Sequence, residues 1–128
     1  MYEVTDVGRR ETRSWLRELV ATPRHEYPAF VAALSLLVVL GPDEVTDLLY
    51  TRLRRLEEEV KDIETTRDEV VQSGVHPVFL VEDDYRVALL RAEVSFIHEL
   101  LDRISDPGWV SDWATYHADD EPPVEGQT

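Results

Sequence analysis

The sequence predicts an all-α protein organised around two long antiparallel helices in a coiled-coil-like hairpin. Between Pro42 and Gln72, apolar residues recur in alternating steps of four and three residues, which draws one narrow apolar seam along a helix. A second periodic segment runs from Tyr85 to Ile104, and the connection between the two is short enough to fold one against the other. A long helix with a narrow apolar seam needs a second helix to cover it.

The N-terminal segment begins with a strand-like stretch, Tyr2–Val4, that has no neighbouring strand to pair with. A helix is expected directly after it, because Thr5 or Asp6 can cap the first turn with a side-chain oxygen. Pro23 disfavours helical backbone at the preceding residue, so this helix is expected to end near Thr22.

The segment from Pro28 to Leu40 is apolar on every side. This pattern indicates either a helix buried all round or a buried pair of strands, and the initial proline and two alanines favour a short buried helix. Gly41 ends this element, and Pro42, with its preset φ, begins the long helix.

The long helix is predicted to span Pro42–Gln72, with Ser73-Gly74 ending it. Its seam contains one charged residue, Arg67, which either extends to solvent near the frayed end or pairs across an interface and fixes the register. The connector that follows is either extended or already helical from Pro77. Apolar periodicity that reaches back to Val78 favours the longer helix.

The last helix is expected to stop at Asp106-Pro107-Gly108. Trp109 and Trp113, four residues apart, then share one face of a final turn or short helix that folds over the bundle. Residues 117–128 offer almost nothing to bury and are predicted to form a disordered acidic tail.

The charge distribution argues against nucleic-acid binding by this chain itself. Residues 1–55 contain 8 basic and 8 acidic residues and residues 56–128 contain 5 and 19, so the net charge of −14 arises in the second part and repels phosphate backbones. The chain has no cysteine, no start typical of a signal peptide and no apolar run long enough for a bilayer. We therefore expect a cytoplasmic protein with no membrane partner.

No arrangement of residues in the sequence supports catalysis. The Glu-x-x-His pairs of a helical metal site are absent, because none of the four histidines has a glutamate three residues earlier. His98 and Asp102 have the spacing of a ligand pair, but exposed pairs of this kind are common on acidic helices. There is no glycine-rich phosphate loop and no nucleophile elbow. We therefore expect that the protein is not an enzyme and that it binds neither a metal ion nor a cofactor.

The start of the chain resembles the end of the wing in PadR-type winged-helix transcription regulators. The similar residues read Tyr-Glu-Val-Thr-Asp-Val-Gly-Arg-Arg from Tyr2, with Trp15 further on. The apolar helix, the long helix and the sequence Ala92-Glu93-Val94 resemble the C-terminal region of the subgroup with an extra helical domain. The resemblance covers residues 2–113. It implies that the recognition helix and most of the wing would precede Met1, so that this chain does not read DNA alone.

Two groups of candidate site residues follow. The candidate dimer contacts lie on the seams of the long helices: Leu49, Leu53, Leu56, Val60, Ile63, Arg67, Ile97, Leu100 and Ile104. The candidate ligand contacts are three aromatic residues and one carboxylate: Trp15, Tyr85, Phe96 and Glu93. Most aromatic residues of the chain are expected to belong simply to the core, and only a few would line an apolar pocket.

Glu93 lies among aliphatic residues of the last helix, which leaves three interpretations open. It points to water at the edge of the apolar stripe, or it is partly buried and pairs with an arginine such as Arg67, Arg13 or Arg17. In the third interpretation it lines a cavity and meets a cationic ligand. If it is paired in a buried site, removal of either partner would be costly.

The resemblance implies the dimerisation and effector-sensing region of a PadR-like transcription regulator. Residues 1–22 would be the wing-strand remnant and linker helix, residues 23–116 the helical dimerisation and effector domain, and residues 117–128 the tail. The expected partners are a second copy, a small aromatic or cationic effector, and DNA only through a missing upstream winged-helix domain. The alternative is a stand-alone helical module that binds a partner protein through the same seam or through its acidic face.

Overall fold

A computed structural model of the chain describes residues 5–23 and 29–120, without the side chains of residues 117–120. All regular structure in these residues is helical, which confirms the all-α class; the strand-like stretch Tyr2–Val4 lies outside them. They contain five α-helices: α1 (Asp6–Ala21), α2 (Ala29–Leu34), α3 (Pro42–Gln72), α4 (Val81–Ile104) and α5 (Pro107–Asp120). Two short 3-10 helices, Leu37–Val39 and Pro77–Leu80, precede α3 and α4.

The described residues form two compact units that divide between Ser35 and Leu36, whereas the sequence placed a division after residue 22. In the first unit, Thr5 caps α1, because its hydroxyl oxygen accepts a hydrogen bond from the backbone N–H of Gly8 at 3.2 Å. α1 begins and ends where capping and Pro23 predict. None of its residues is buried, so its apolar side chains are exposed.

The prediction of one buried helix from Pro28 to Leu40 is wrong. α2 ends at Leu34, and the hydroxyl of Ser35 donates a hydrogen bond to the carbonyl of Ala32 at 2.6 Å. A 3-10 helix follows over Leu37–Val39, and no residue of either helix is buried. Serine side chains compete for backbone hydrogen bonds, and valines lose rotamer freedom in an α-helix. The α-helix ends just before Ser35, and Val38 and Val39 lie in the 3-10 helix that follows.

α3 in the second unit has the predicted bounds. It begins at Pro42, and Asp43 and Glu44 in its first turn complement the positive end of the helix dipole. After Ser73, Gly74 adopts a φ of 99°, a left-handed conformation that residues with side chains resist. Helical structure resumes at Pro77, as the apolar periodicity predicted, first as the 3-10 helix and then as α4.

α4 packs along α3 in the opposite direction. Arg52 on α3 binds Glu93 on α4, while Arg67, which comes later in α3, binds Asp84, which comes earlier in α4. Ile97 is the most completely buried side chain, with an exposed fraction of 0%. The buried aliphatic residues of the unit are Val45, Leu49, Leu53 and Leu56 from α3, Leu80 from the preceding 3-10 helix, and Val87, Ile97 and Leu100 from α4.

α5 adds a third layer near the start of α3. Trp113 is 6% exposed, and its indole N–H donates a hydrogen bond to the backbone carbonyl of Leu40 at 3.0 Å. α5 also contacts α3, α4 and the 3-10 helix Leu37–Val39. The α3 seam is buried from Leu49 to Leu56 and half-buried at Val60 and Ile63, which lie further along α3 from this layer.

α5 is longer than the final turn or short helix that the sequence indicated. It continues to Asp120, whereas the sequence placed the start of the tail at residue 117, and residues 121–128 lie outside the described part of the chain. Among residues 5–23 and 29–120, no helix combines the length and apolar content that crossing a bilayer requires.

Candidate self-association surface

α4 carries apolar side chains on two of its faces. One face packs on α3 through Val87, Ile97 and Leu100. The other is exposed, and its residues are spaced by four, four, three and four positions, which keeps them on one side of a helix. We call this second face the outer stripe; it consists of Val81, Tyr85, Leu89, Ala92 and Phe96.

The outer stripe exposes large apolar side chains in one row. Tyr85 is 64% exposed, Leu89 is 52% exposed and Phe96 is 37% exposed. Together the stripe leaves roughly 400 Å² accessible, which is the size of the largest apolar patch on many monomers, and such patches are often binding sites. Val78 and Phe79, directly before α4, are also exposed and add apolar surface at its start.

Charged side chains fix the rotation of α4 against α3. The Arg52–Glu93 hydrogen bond joins Nη2 to Oε1 at 2.6 Å, with side chains 39% and 22% exposed. Turning the outer stripe towards α3 would break this bond and its counterparts further along the helices. The hydrogen bonds between the two helices include Arg52 to Glu93, Arg67 to Asp84 and Arg91 to Glu64.

Arg67 is paired inside the chain and does not extend freely to solvent. Its Nε donates a hydrogen bond to Oδ1 of Asp84 at 2.6 Å. This hydrogen bond and the negative charge of Asp84 raise the pKa of Arg67, with smaller contributions from the charges of Asp68 and Asp83. The charged position of the seam therefore takes part in a contact between α3 and α4 of one copy.

Glu93 is partly buried, but its partner is Arg52 and not one of the arginines that the sequence suggested. The two residues lie 41 positions apart, so only the packing of α3 on α4 reveals the pair. No local motif marks Arg52 as the partner. The charge of Glu93 is thus compensated within the chain.

Two of the four candidate ligand contacts share one surface. Tyr85 and Phe96 both lie on the outer stripe, whereas Glu93 is engaged with Arg52 of α3. Trp15 lies on α1 in the first unit and is exposed.

The seam residues assigned to a dimer contact are largely used inside one copy, so the assignment is wrong for the buried residues and stays a prediction for the half-buried ones. Five of them are buried, namely Leu49, Leu53, Leu56, Ile97 and Leu100, and the other four, Val60, Ile63, Arg67 and Ile104, are half-buried. A narrow seam accommodates one partner helix, and α4 of the same chain takes that place. Sequence reasoning passed over Val81 and Leu89 as contacts, although the step pattern of the outer stripe is visible in the sequence.

The chemistry of this surface is not indicated by a metal site in the described residues or by a known relative. In the part of the chain that the structure describes, no group of three or more histidine, aspartate or glutamate side chains is arranged to hold a metal ion. Comparison with known proteins finds no matching family model, no matching curated protein and no matching solved structure. The surface is therefore interpreted from its own geometry.

Proposed function

We propose that this chain is the dimerisation and effector-sensing region of a PadR-like transcription regulator, and that the outer stripe is its main dimer contact. The observation that carries the proposal is the second apolar face of α4. The buried residues Val87, Ile97 and Leu100, together with arginine–carboxylate pairs, join α4 to α3 and leave the stripe facing outward. Covering the stripe with a second copy would remove its apolar surface from water.

A second copy of the stripe matches it in size and chemistry. A standard interface buries about 800 Å² per partner, so the roughly 400 Å² of the stripe supplies about half of such an interface. The exposed residues Val78 and Phe79 extend the apolar area at the start of α4. α1, which has no buried residue, is a separate amphipathic surface that assembly of the regulator would cover.

A two-fold dimer places the same helix of each copy side by side, and a residue near the axis then meets its own counterpart. Ala92 is the one small residue of the stripe and allows the helices to approach closely. In an antiparallel crossing at this point, Leu89 of one copy packs against Phe96 of the other. The middle of α4 is therefore the proposed axis.

The proposed mechanism is a change in helix packing that is transmitted through the dimer. The dimer would set the distance between two winged-helix domains upstream of this chain, and DNA half-sites are read only when that distance fits. An effector that binds one packing of the helices more tightly would shift the population towards that packing. DNA binding would change without any contact between the effector and DNA.

Analytical ultracentrifugation tests the dimer directly. The full chain should sediment as a dimer in the micromolar range. A well-folded monomer at high micromolar concentration would contradict the proposal and favour a stand-alone module that binds a different protein.

Disulfide cross-linking tests the position of the axis. The chain has no cysteine, so Ala92→Cys introduces a single thiol, which should form a covalent dimer on mild oxidation. His98→Cys is the matched control, because His98 is also exposed on α4 but lies outside the stripe. Equal cross-linking of both variants would indicate random collisions and exclude the proposed axis.

A further inference from the structure

We propose that a groove between the 3-10 helix Leu37–Val39 and α5 binds a small organic cation of the quaternary ammonium class. The groove has a volume of about 270 Å³ and lies wholly within the second unit. It shares no residue with the outer stripe. Its lining residues are Leu37, Val38, Trp109, Asp112, Trp113 and Tyr116.

The walls of the groove are held in place by contacts within the chain. The hydrogen bond from the Trp113 indole to the Leu40 carbonyl ties α5 to the residue that follows the 3-10 helix Leu37–Val39. Trp109 packs edge-on against Trp113, with ring centroids 5.6 Å apart and ring planes at 86°. A ligand entering the groove therefore meets walls that are already ordered, which lowers the cost of binding.

The chemistry of the lining favours a positive charge. Trp109 and Tyr116 retain exposed ring surface, and the face of an aromatic ring attracts cations. Asp112 is the only charged residue among the described residues that line the groove. An anionic ligand would be repelled by this carboxylate, and a neutral ligand without a hydrogen-bond donor would gain nothing from it. The net charge of −14 further raises the concentration of cations near the surface.

The size of the groove suits a small ligand. Its volume lies just below the range of about 300–1,000 Å³ that is usual for drug-sized ligands. A quaternary ammonium group fits beside the exposed ring faces with Asp112 within electrostatic range. Every lining residue belongs to one copy, so the site does not depend on the proposed dimer.

Binding of choline to the full chain tests the proposal by tryptophan fluorescence. The chain has three tryptophans, so Trp15→Phe leaves Trp109 and Trp113 as the only tryptophan emitters. Choline should change this emission saturably. The neutral analogue 3,3-dimethylbutan-1-ol has carbon in place of nitrogen and should bind about ten-fold more weakly. Equal binding of the two compounds, or no saturable response to choline, would overturn the proposal.

Two variants test whether choline binds in the groove. Asp112→Asn and Trp109→Leu should each weaken choline binding by about 3- to 30-fold, as measured by calorimetry. Asp102→Asn is the matched control, because Asp102 is exposed on α4 and does not line the groove. Unchanged binding in both groove variants would overturn the assignment, whatever the oligomeric state of the chain.

Two further measurements distinguish a free cation from other possible occupants of the groove. Phosphatidylcholine vesicles carry the same head group, and sedimentation of the chain with vesicles without binding of free choline would overturn the free-ligand proposal. Emission that changes with protein concentration and not with choline would assign the groove to a second copy and also overturn it.

Discussion

Replacing Leu89 with alanine should weaken self-association without unfolding the chain, because this side chain is 52% exposed in one copy. Full burial of a leucine side chain contributes about 1.5–3 kcal/mol, and about half of that remains to be gained at Leu89, so truncation removes about 1 kcal/mol per copy. A two-fold dimer contains the residue twice. The free energy of dissociation should therefore fall by about 2 kcal/mol, which raises the dissociation constant roughly 30-fold.

Sedimentation equilibrium over a range of concentrations measures this change. Leu48→Ala is the matched control, because Leu48 is also 52% exposed but lies on α3, outside the outer stripe. The control should leave the dissociation constant unchanged, and both variants should remain folded. Equal dissociation constants for Leu89→Ala and Leu48→Ala would refute the assignment of the stripe as the contact.

Three further predictions concern the fold that presents these surfaces. Ile97→Ala should lower the free energy of unfolding by about 2–5 kcal/mol in denaturant titrations, because the side chain is fully buried; a loss below 1 kcal/mol would contradict the described core. A double-mutant cycle on Arg52 and Glu93 should give a coupling of roughly 1 kcal/mol, since both side chains are partly screened by solvent, and zero coupling would show that the pair does not hold α4. Trp113→Phe should cost about 1–2 kcal/mol, because it leaves the Leu40 carbonyl without its donor, and an unchanged unfolding midpoint would argue against that hydrogen bond.

The helix boundaries that sequence reasoning placed correctly depend on short-range signals. Thr5 caps α1, and Pro23 limits it at the other end. Pro42 begins α3, and Ser73-Gly74 ends it in a left-handed turn. Each signal acts within one or two turns of the helix, so neighbouring residues are sufficient to locate the boundary.

The errors of sequence reasoning concern what each apolar surface contacts. The segment from Pro28 to Leu40 was interpreted as buried because it is apolar all round, yet Ser35 interrupts it and its helical residues are not buried. Residues such as Leu49 and Leu53 were assigned to a dimer, yet α4 of the same chain covers them. An apolar side chain is stabilised by burial, but its apolar character does not indicate which other surface will bury it.

The sequence by itself determined the all-α class, the bounds of α1 and α3 and the apolar seams of the long helices, because capping groups, prolines and the helical period act locally. Only the tertiary structure decided which of the two apolar faces of α4 is covered. That choice depends on the rotation of α4 against α3, which is set by burial of Ile97 and by the Arg52–Glu93 and Arg67–Asp84 pairs. These contacts join residues far apart in the chain, so the exposure of the outer stripe follows from packing and not from any local pattern.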